Sequence, residues 1–450
     1  VAPEGRPHDS MTDRPEEVSA RAIWGWGLYD FANSPFATTI LAVIFNRYFA
    51  EVLAGGEQGV VIGGLRIPGV TLFTYTLATA MLIVAVLAPV LGAAADSSGS
   101  KKKFLAFFCY LGVGATAMLY FAHAGQYWRG AIFFILAQVG FSASNIFYNA
   151  FLPEISTSKN IGWISGFGFT LGYISGAAVL AINLAMLSYP QWIGFDAPFT
   201  PQDTFLSVAV WWGVFAIPTF LWLRERRPAV ALPAGRTYLR VGIARVGKTL
   251  RNLRRYRELT KFLVAFLIYN DGIQTTIVVA AIFVDEVLGF SDGAIVGLFL
   301  MIQATAFVGA LLMGSISDRI GNKTTITITL LVWTGVAIWG RFIGFTGNPT
   351  YEVFAIGVIV GMVLGGSQSA SRALQGTFTP DANSAEFFAF YGIAGKFSAV
   401  LGPLVYGSVY ALVGIRSAIL SLGVFFVVGL VILHTVNEEE GARQAQTAVT

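Results

Sequence analysis

Charge is scarce in this chain of 450 residues: Asp, Glu, Lys and Arg together make up 12%, against 55% hydrophobic residues. A soluble domain carries about twice that charged fraction. Together with a mean hydropathy of +0.67, this excludes an ordinary soluble globule. Cysteine is nearly absent. Cys109, the single one, lies in an apolar run, so neither a disulfide framework nor a thiolate metal site is available. Three scattered histidines give no metal cluster. The short alternating segments of a transmembrane barrel are missing. No cleavable leader is expected, because residues 1–21 are polar and contain no apolar core. Met11 reads as a start, with residues 1–10 as upstream extension. No nucleophile–base pair or ligand set suggests an enzyme, and no cofactor is expected.

What the chain does have is long apolar runs. Twelve are long enough to cross a membrane as helices: 24–49, 70–94, 104–122, 130–152, 161–187, 204–223, 261–284, 294–315, 324–345, 351–378, 386–412 and 415–436. An even number puts both ends on one side. Of the 29 Lys and Arg residues, 22 fall in the terminal segments and even-numbered loops, 3 in the odd-numbered loops and 4 within spans. By the positive-inside rule both termini are expected in the cytoplasm, in a bacterial cytoplasmic membrane. The expected organisation is a tail 1–23, a six-helix bundle 24–223, a basic linker 224–258, a second six-helix bundle 259–436 and a tail 437–450. The fold class is all-α, with two pseudo-symmetric halves.

Three internal echoes support the halves. Ser142-Ala143-Ser144-Asn145, Phe151, Pro153 and Glu154 correspond to Ser369-Ala370-Ser371-Arg372, Phe378, Pro380 and Asp381, each pair offset by 227 positions. Gly92, Asp96, Gly99 and Lys101 recur as Gly314, Asp318, Gly321 and Lys323, 222 positions on. Tyr29-Asp30 with Asn33 and Ser34 corresponds to Asn270-Asp271 with Gln274 and Thr275, offset by 241; the long 51–69 loop takes up the difference. The second echo, G-x-x-x-D-x-x-G-x-K, resembles the loop signature of the major facilitator superfamily, in which it latches one conformational state. Glycines there allow close approach and a tight turn, while the charges lock helix ends. The first copy has Ser97 where Arg is usual and the second keeps Arg319, so the first latch is expected to be the weaker.

The linker is strongly basic. Leu239, Ile243, Val246, Leu250 and Leu253 form one apolar stripe, with Arg240, Arg245, Lys248, Arg251, Arg254 and Arg255 on the other faces. That pattern predicts an amphipathic helix on the cytoplasmic membrane surface, its cations near anionic lipids. The linker is too small for a nucleic-acid-binding module. Gly242-Ile243-Ala244-Arg245-Val246-Gly247-Lys248-Thr249 matches a phosphate-binding loop literally. No strand precedes it and no nucleotide-binding domain surrounds it, so no nucleotide is expected.

Polar groups inside spans are the functional candidates, since each is costly in a membrane unless it meets a partner or a polar cavity. They are Asp30 and Asn33 in span one, Asn145 and Asn149 in span four, and Asp271 and Gln274 in span seven. Arg372 and Gln375 follow in span ten and Lys396 in span eleven. The superfamily resemblance implies that spans one, four, seven and ten line a central cavity. Arg372 then either binds a carboxylate or an exchanging acid, with Asp30 or Asp271 carrying a coupling proton, or it forms a permanent ion pair. Two acids against Arg372 and Lys396 balance the charge. Arg47 and Arg341 lie toward span ends and snorkel. Gly168, Gly172 and Gly176 read as a packing face, and Gly402-Pro403 as a kink.

Several stretches together resemble the vacuole-effluxer-like permeases of that superfamily. They are Trp26 to Ser34, Asn149 to Ile155, Ser165 to Gly168 with Leu171-Gly172-Tyr173, Tyr269 to Gly272, Ser367 to Arg372, Glu386-Phe387-Phe388 and Gly395 to Ser398. The resemblance implies a monomeric secondary transporter moving a small polar solute by alternating access, driven by a proton or solute gradient. Fungal relatives export amino acids from the vacuole, which makes amino acids the first solute class implied. An exporter of metabolites or drugs, a lipid flippase and a non-transporting receptor are the alternatives.

Overall fold

The computed structural model describes residues 19–193, 198–225, 237–251, 253–398 and 400–447. The first span is not one straight helix. α1 (Ala20–Pro35) continues as π-helical turns over Phe36–Val43, breaks, and resumes as α2 (Phe45–Tyr48) and π-helical Phe49–Leu53, with a bend of 40°. Pro35 has no N–H to donate, and its ring crowds the preceding turn, so the ladder loosens there. The loop that follows holds a hairpin, β1 (Val60–Ile62) against β2 (Leu65–Ile67), which the sequence reading left as plain loop. Gly63 and Gly64, both at positive φ, make its turn.

The first half continues with α3 (Gly69–Ser98), α4 (Lys101–Met118), α5 (Tyr127–Asn149), α6 (Ile161–Ser188), α7 (Pro201–Phe215) and α8 (Ile217–Trp222). α9 (Tyr238–Arg251) is the linker helix. The second half comprises α10 (Arg257–Leu288), α11 (Asp292–Ile320), α12 (Asn322–Arg341), α13 (Pro349–Thr377), α14 (Ser384–Phe397), α15 (Leu401–Val413) and α16 (Ile415–His434), and α17 (Glu438–Thr447) closes the chain. Among the described residues, ten segments are long and apolar enough to span a membrane, eleven counting the bent first one. α12, diluted by Asn322, Lys323 and a run of threonines, takes the remaining place, packed between α13 and α16.

Each half has its own aromatic core. One is built on Trp26, Phe45, Phe134 and Trp212, the other on Phe262, Trp333, Phe378 and Phe426. In lipid there is little hydrophobic drive between helices, so association depends on close packing, which small residues allow. The halves meet along α3–α14 and α6–α11. A Cβ on Gly92 would lie 2.5 Å from the Ala385 carbonyl oxygen, and one on Gly166 2.3 Å from that of Ala310. Backbone therefore touches backbone across the interface. The face carrying α9, α17 and the latch loops is called the inner face below.

Candidate functional site

Two latches close the inner face, and they are built alike. The α14 helix opens with N–H groups that have no partner in their own helix. Asp96, at the end of α3, accepts from the Ala385 and Glu386 N–H groups at 3.1 and 3.0 Å. In the other pairing Asp318, at the end of α11, accepts from the Gly162 and Trp163 N–H groups of α6 at 2.7 and 2.8 Å. Each acid thus caps a helix of the opposite half, where a carboxylate also complements the positive end of the helix dipole. Gly92 and Gly314, one turn earlier, let the backbones approach closely enough for this. Gly99 and Gly321 turn the chain at φ +54° and +91°.

The remaining members of the two signatures diverge. Lys101 is buried in an ion pair with Glu154 and donates to the Ser384 hydroxyl of the second half at 2.8 Å. Lys323 instead ties the inner end of α16, donating to the His434 and Val436 carbonyls at 3.0 and 2.6 Å. Arg319 is exposed and bonds no described residue. The expected weakness of the first latch is not what the structure shows. Arg245, from the linker helix, donates to Ser97 at 3.2 Å, to the Ala382 carbonyl at 3.1 Å and to Asn383, and lies 3.3 Å from the buried Glu386 carboxylate. The guanidinium missing at position 97 comes from α9.

That places α9 against α3 rather than lying free on a lipid surface. A Cβ on Gly242 would meet the Val90 carbonyl at 2.7 Å. Of the predicted apolar stripe, Ile243 is exposed and Val246 half-buried; the side chains of Leu239, Leu250 and Leu253, and that of Arg254 among the cations, lie outside the described residues. Gly242 to Thr249 run helically through α9, with no loop of N–H groups to cradle a phosphate. Glu225, at the linker's start, accepts from the Lys102 N–H at 2.8 Å. Burial pushes its carboxyl above the ordinary value, and the Lys102 N–H and the Lys101 charge pull it back in part.

Deeper in the bundle, Arg372 is buried, with four of its five N–H groups bonded. Its guanidinium donates to Asp30 at 2.9 Å, to the Ser165 hydroxyl and carbonyl at 3.1 and 2.6 Å, and to Asn149 at 3.4 Å. It also stacks over Phe169, 3.8 Å from the ring centroid, and over Trp26 at 4.8 Å. The Tyr148 hydroxyl donates to the same Asp30 oxygen at 2.8 Å. A Cβ on Gly168 would collide with both Asp30 and Arg372, so this glycine makes room for the pair, while Gly172 and Gly176 pack on Ser34 and Thr38. Arg372 belongs to the second half, and Asp30, Asn149 and Ser165 to the first. Among the described residues, the side-chain hydrogen bonds between the halves run from Tyr173–Gln368 inward.

The other candidates separate. Asn33 donates to Asn145 at 3.1 Å, joining α1 to α5. Asp271 does not face Lys396: it caps α15, accepting from the Leu401 and Gly402 N–H groups at 2.9 and 2.8 Å. Span eleven is interrupted between Phe397 and Leu401, so the expected kink lies just before Gly402-Pro403, which occupy the first turn of α15 where proline is tolerated. Gln375 is fully buried and braces the Phe387 carbonyl and Thr379, both at 3.2 Å. Gln274 is half-buried without a bond to a described residue. Lys396 is half-buried, 5.8 Å from the centroid of Phe141 on α5. Among the described residues no cluster of His, Cys, Asp or Glu is placed to hold a metal.

A family model described as "Vacuole effluxer Atg22 like" matches residues 18–162 and 156–446. The chain belongs to that family. A Bacillus subtilis relative, the uncharacterized MFS-type transporter YxiO, is 30% identical over 94% of this chain and 96% of its own length. Autophagy-related protein 22-1 of Penicillium rubens is 23% identical, over 88% and 80%. Among solved structures, the proton:xylose symporter XylE superposes with a TM-score of 0.68 at 14% identity, covering 95% of this chain and 98% of that one. The human organic anion transporter MFSD10 does so with 0.67 at 12%, covering 93% and 99%. The fold is that of the major facilitator superfamily, and the chain is a multi-pass membrane protein of its transporter class.

In this Atg22-like chain, sequence reasoning missed Ser165, Tyr148, Trp26, Phe169 and Arg245. Trp26 and Ser165 stood only in the stretches of family likeness. Ser165 carries no charge, and its importance comes from a carbonyl turned toward Arg372, which no side-chain pattern encodes. Arg245 sat among six linker cations with nothing in the spacing to single it out.

Proposed function

We propose that this protein is a secondary transporter that moves a small polar solute by alternating access, the two halves rocking about a site near the membrane middle. The carrying observation is the sealed inner end. Two helix-capping acids and the Asp30–Arg372 pair join the halves there. Outward of this seal, Asn145, Gln274, Gln368 and Lys396 keep partial exposure. A seal made of cross-half bonds can open only if the halves part, which alternating access requires. Protonation of Asp30 would remove the charge that holds Arg372, which supports a proton as the coupling ion. Amino acids are the first class to test, and on this reading both termini lie in the cytoplasm of a bacterial cell, as the distribution of Lys and Arg supports.

The test is counterflow into proteoliposomes preloaded with unlabelled solute, comparing wild type with Arg372→Ala. Accumulation of a labelled solute by wild type, and its loss in the variant, is expected. Absence of counterflow across amino acids, sugars and organic acids, from protein shown to be folded, would overturn the transport reading.

A further inference from the structure

We propose that Lys396 receives the anionic group of the transported solute, so that the solute is a small organic acid with net negative charge. The inference rests on the transport reading above and narrows it.

The argument is an inventory of charge inside the bundle. Asp30 is engaged by Arg372 and by the Tyr148 hydroxyl. Asp271 is engaged by the Leu401 and Gly402 N–H groups and faces Thr275. Arg372 has four of its five N–H groups bonded, to Ser165, Asp30 and Asn149, and its charge is already met by Asp30, so it is a poor receiver for a second carboxylate. Lys396 is the exception: its ammonium makes no hydrogen bond and no ion pair with a described residue. An ammonium held in a low-dielectric interior without a counter-charge is costly. An anion entering the bundle relieves that cost, and such relief is a source of affinity.

The position fits the task. Lys396 lies in the last turn of α14, from the second half, and reaches toward Phe141 on α5, from the first. The two helices are aligned by the contact of Gly392 with Ile146. Asn145, one turn inward of Phe141, is half-buried and already tied to Asn33, so a polar group of the first half stands beside the cation of the second. The Arg372 network lies further in and closes the floor. A cation in a last turn also complements the carbonyl end of its own helix, but that is a partial charge and leaves most of the ammonium unmatched. The same inventory argues against a zwitterion: its ammonium would need a carboxylate, and both interior acids are engaged. A solute with one carboxylate and no cation meets the site as it stands.

Two measurements on the full chain test this. The first is thermal stabilisation of the purified protein by lactate, succinate and benzoate against their neutral amides. The second is counterflow of the same acids, zwitterionic amino acids and sugars. The acids should stabilise and exchange while the amides do not. Lys396→Gln should weaken the apparent affinity in both assays by about 30-fold or more, the range for removing one partner of a buried charge pair, and Lys396→Arg should retain part. Without ligand, Lys396→Gln should melt at or above the wild-type temperature, because an unpaired charge is removed; a clear drop would mark Lys396 as structural and overturn the proposal. Counterflow of amino acids or sugars that ignores Lys396→Gln overturns the anion site and leaves the transport reading standing. Stabilisation by acids without flux of any solute keeps the site and overturns transport; neither effect with any acid overturns the anion site, and transport falls with it only if amino acids and sugars give no counterflow either.

Discussion

The two latches start from the same signature and end with different machinery. In both, an aspartate at a helix end caps the first N–H groups of a helix in the other half, and a glycine one turn earlier sets the approach. The second latch keeps its arginine at the helix end, and that arginine bonds no described residue. The first has a serine at the helix end and borrows its guanidinium from the linker. What a signature fixes, then, is the cap; the cation around it is supplied by whichever segment can reach.

The largest effect should come from the caps. Asp96→Ala or Asp318→Ala each removes two bonds to a charged acceptor and leaves two helix-end N–H groups unmatched. Hydrogen bonds to charged groups are worth about 1.5–3 kcal/mol, so either change should shift the closed-to-open ratio by about 30-fold or more. A cysteine placed at Ser369, buried between the halves, in a Cys109→Ser background, should then be alkylated from the inner side far faster. Next comes Gly162→Ala, whose Cβ would lie 2.0 Å from the Ser317 hydroxyl and 2.6 Å from the Gly314 carbonyl. It should open the same seal and spare each half's own core.

Arg245→Ala should give a smaller rise in alkylation, roughly threefold to tenfold, because its ion pair is partly exposed and screened. High salt should reduce the difference from wild type. Adding Ser97→Arg should restore part of the closure, since the helix end would regain its own cation. Arg319→Ala should change nothing measurable, staying within about 0.5 kcal/mol as for a surface substitution. Equal effects from Arg245→Ala and Arg319→Ala would break the comparison.

Much of this was legible in the chain. The apolar runs gave the number and order of spans, and the 222-position echo marked both latches, because a helix-end acid between glycines has few other uses. Arg372 stood out because a guanidinium inside an apolar run demands an explanation, and Asp30 was among the acids expected near it. Other features depend on three-dimensional placement. Asp271 echoes Asp30 in sequence, yet the break in span eleven presents two free N–H groups to it, so the same residue becomes a cap. Span one read as a plain apolar run, and nothing in that pattern shows that the ladder widens over the eight residues after Pro35. The linker stripe was read as facing lipid, since nothing in the sequence says that Gly242 would meet the Val90 carbonyl.

The docking of α9 has a kinetic side. The helix is held at both ends: Glu225 and Leu223 are bonded to Lys102 before it, and α10 begins six residues after it. When the seal opens and Arg245 lets go, α9 cannot diffuse away. Its effective concentration at its own berth stays in the millimolar range of a short tether. Rebinding is then a first-order event, indifferent to how much protein the membrane holds. On the proposed rocking of the halves, the bolt of the inner door therefore travels with the door.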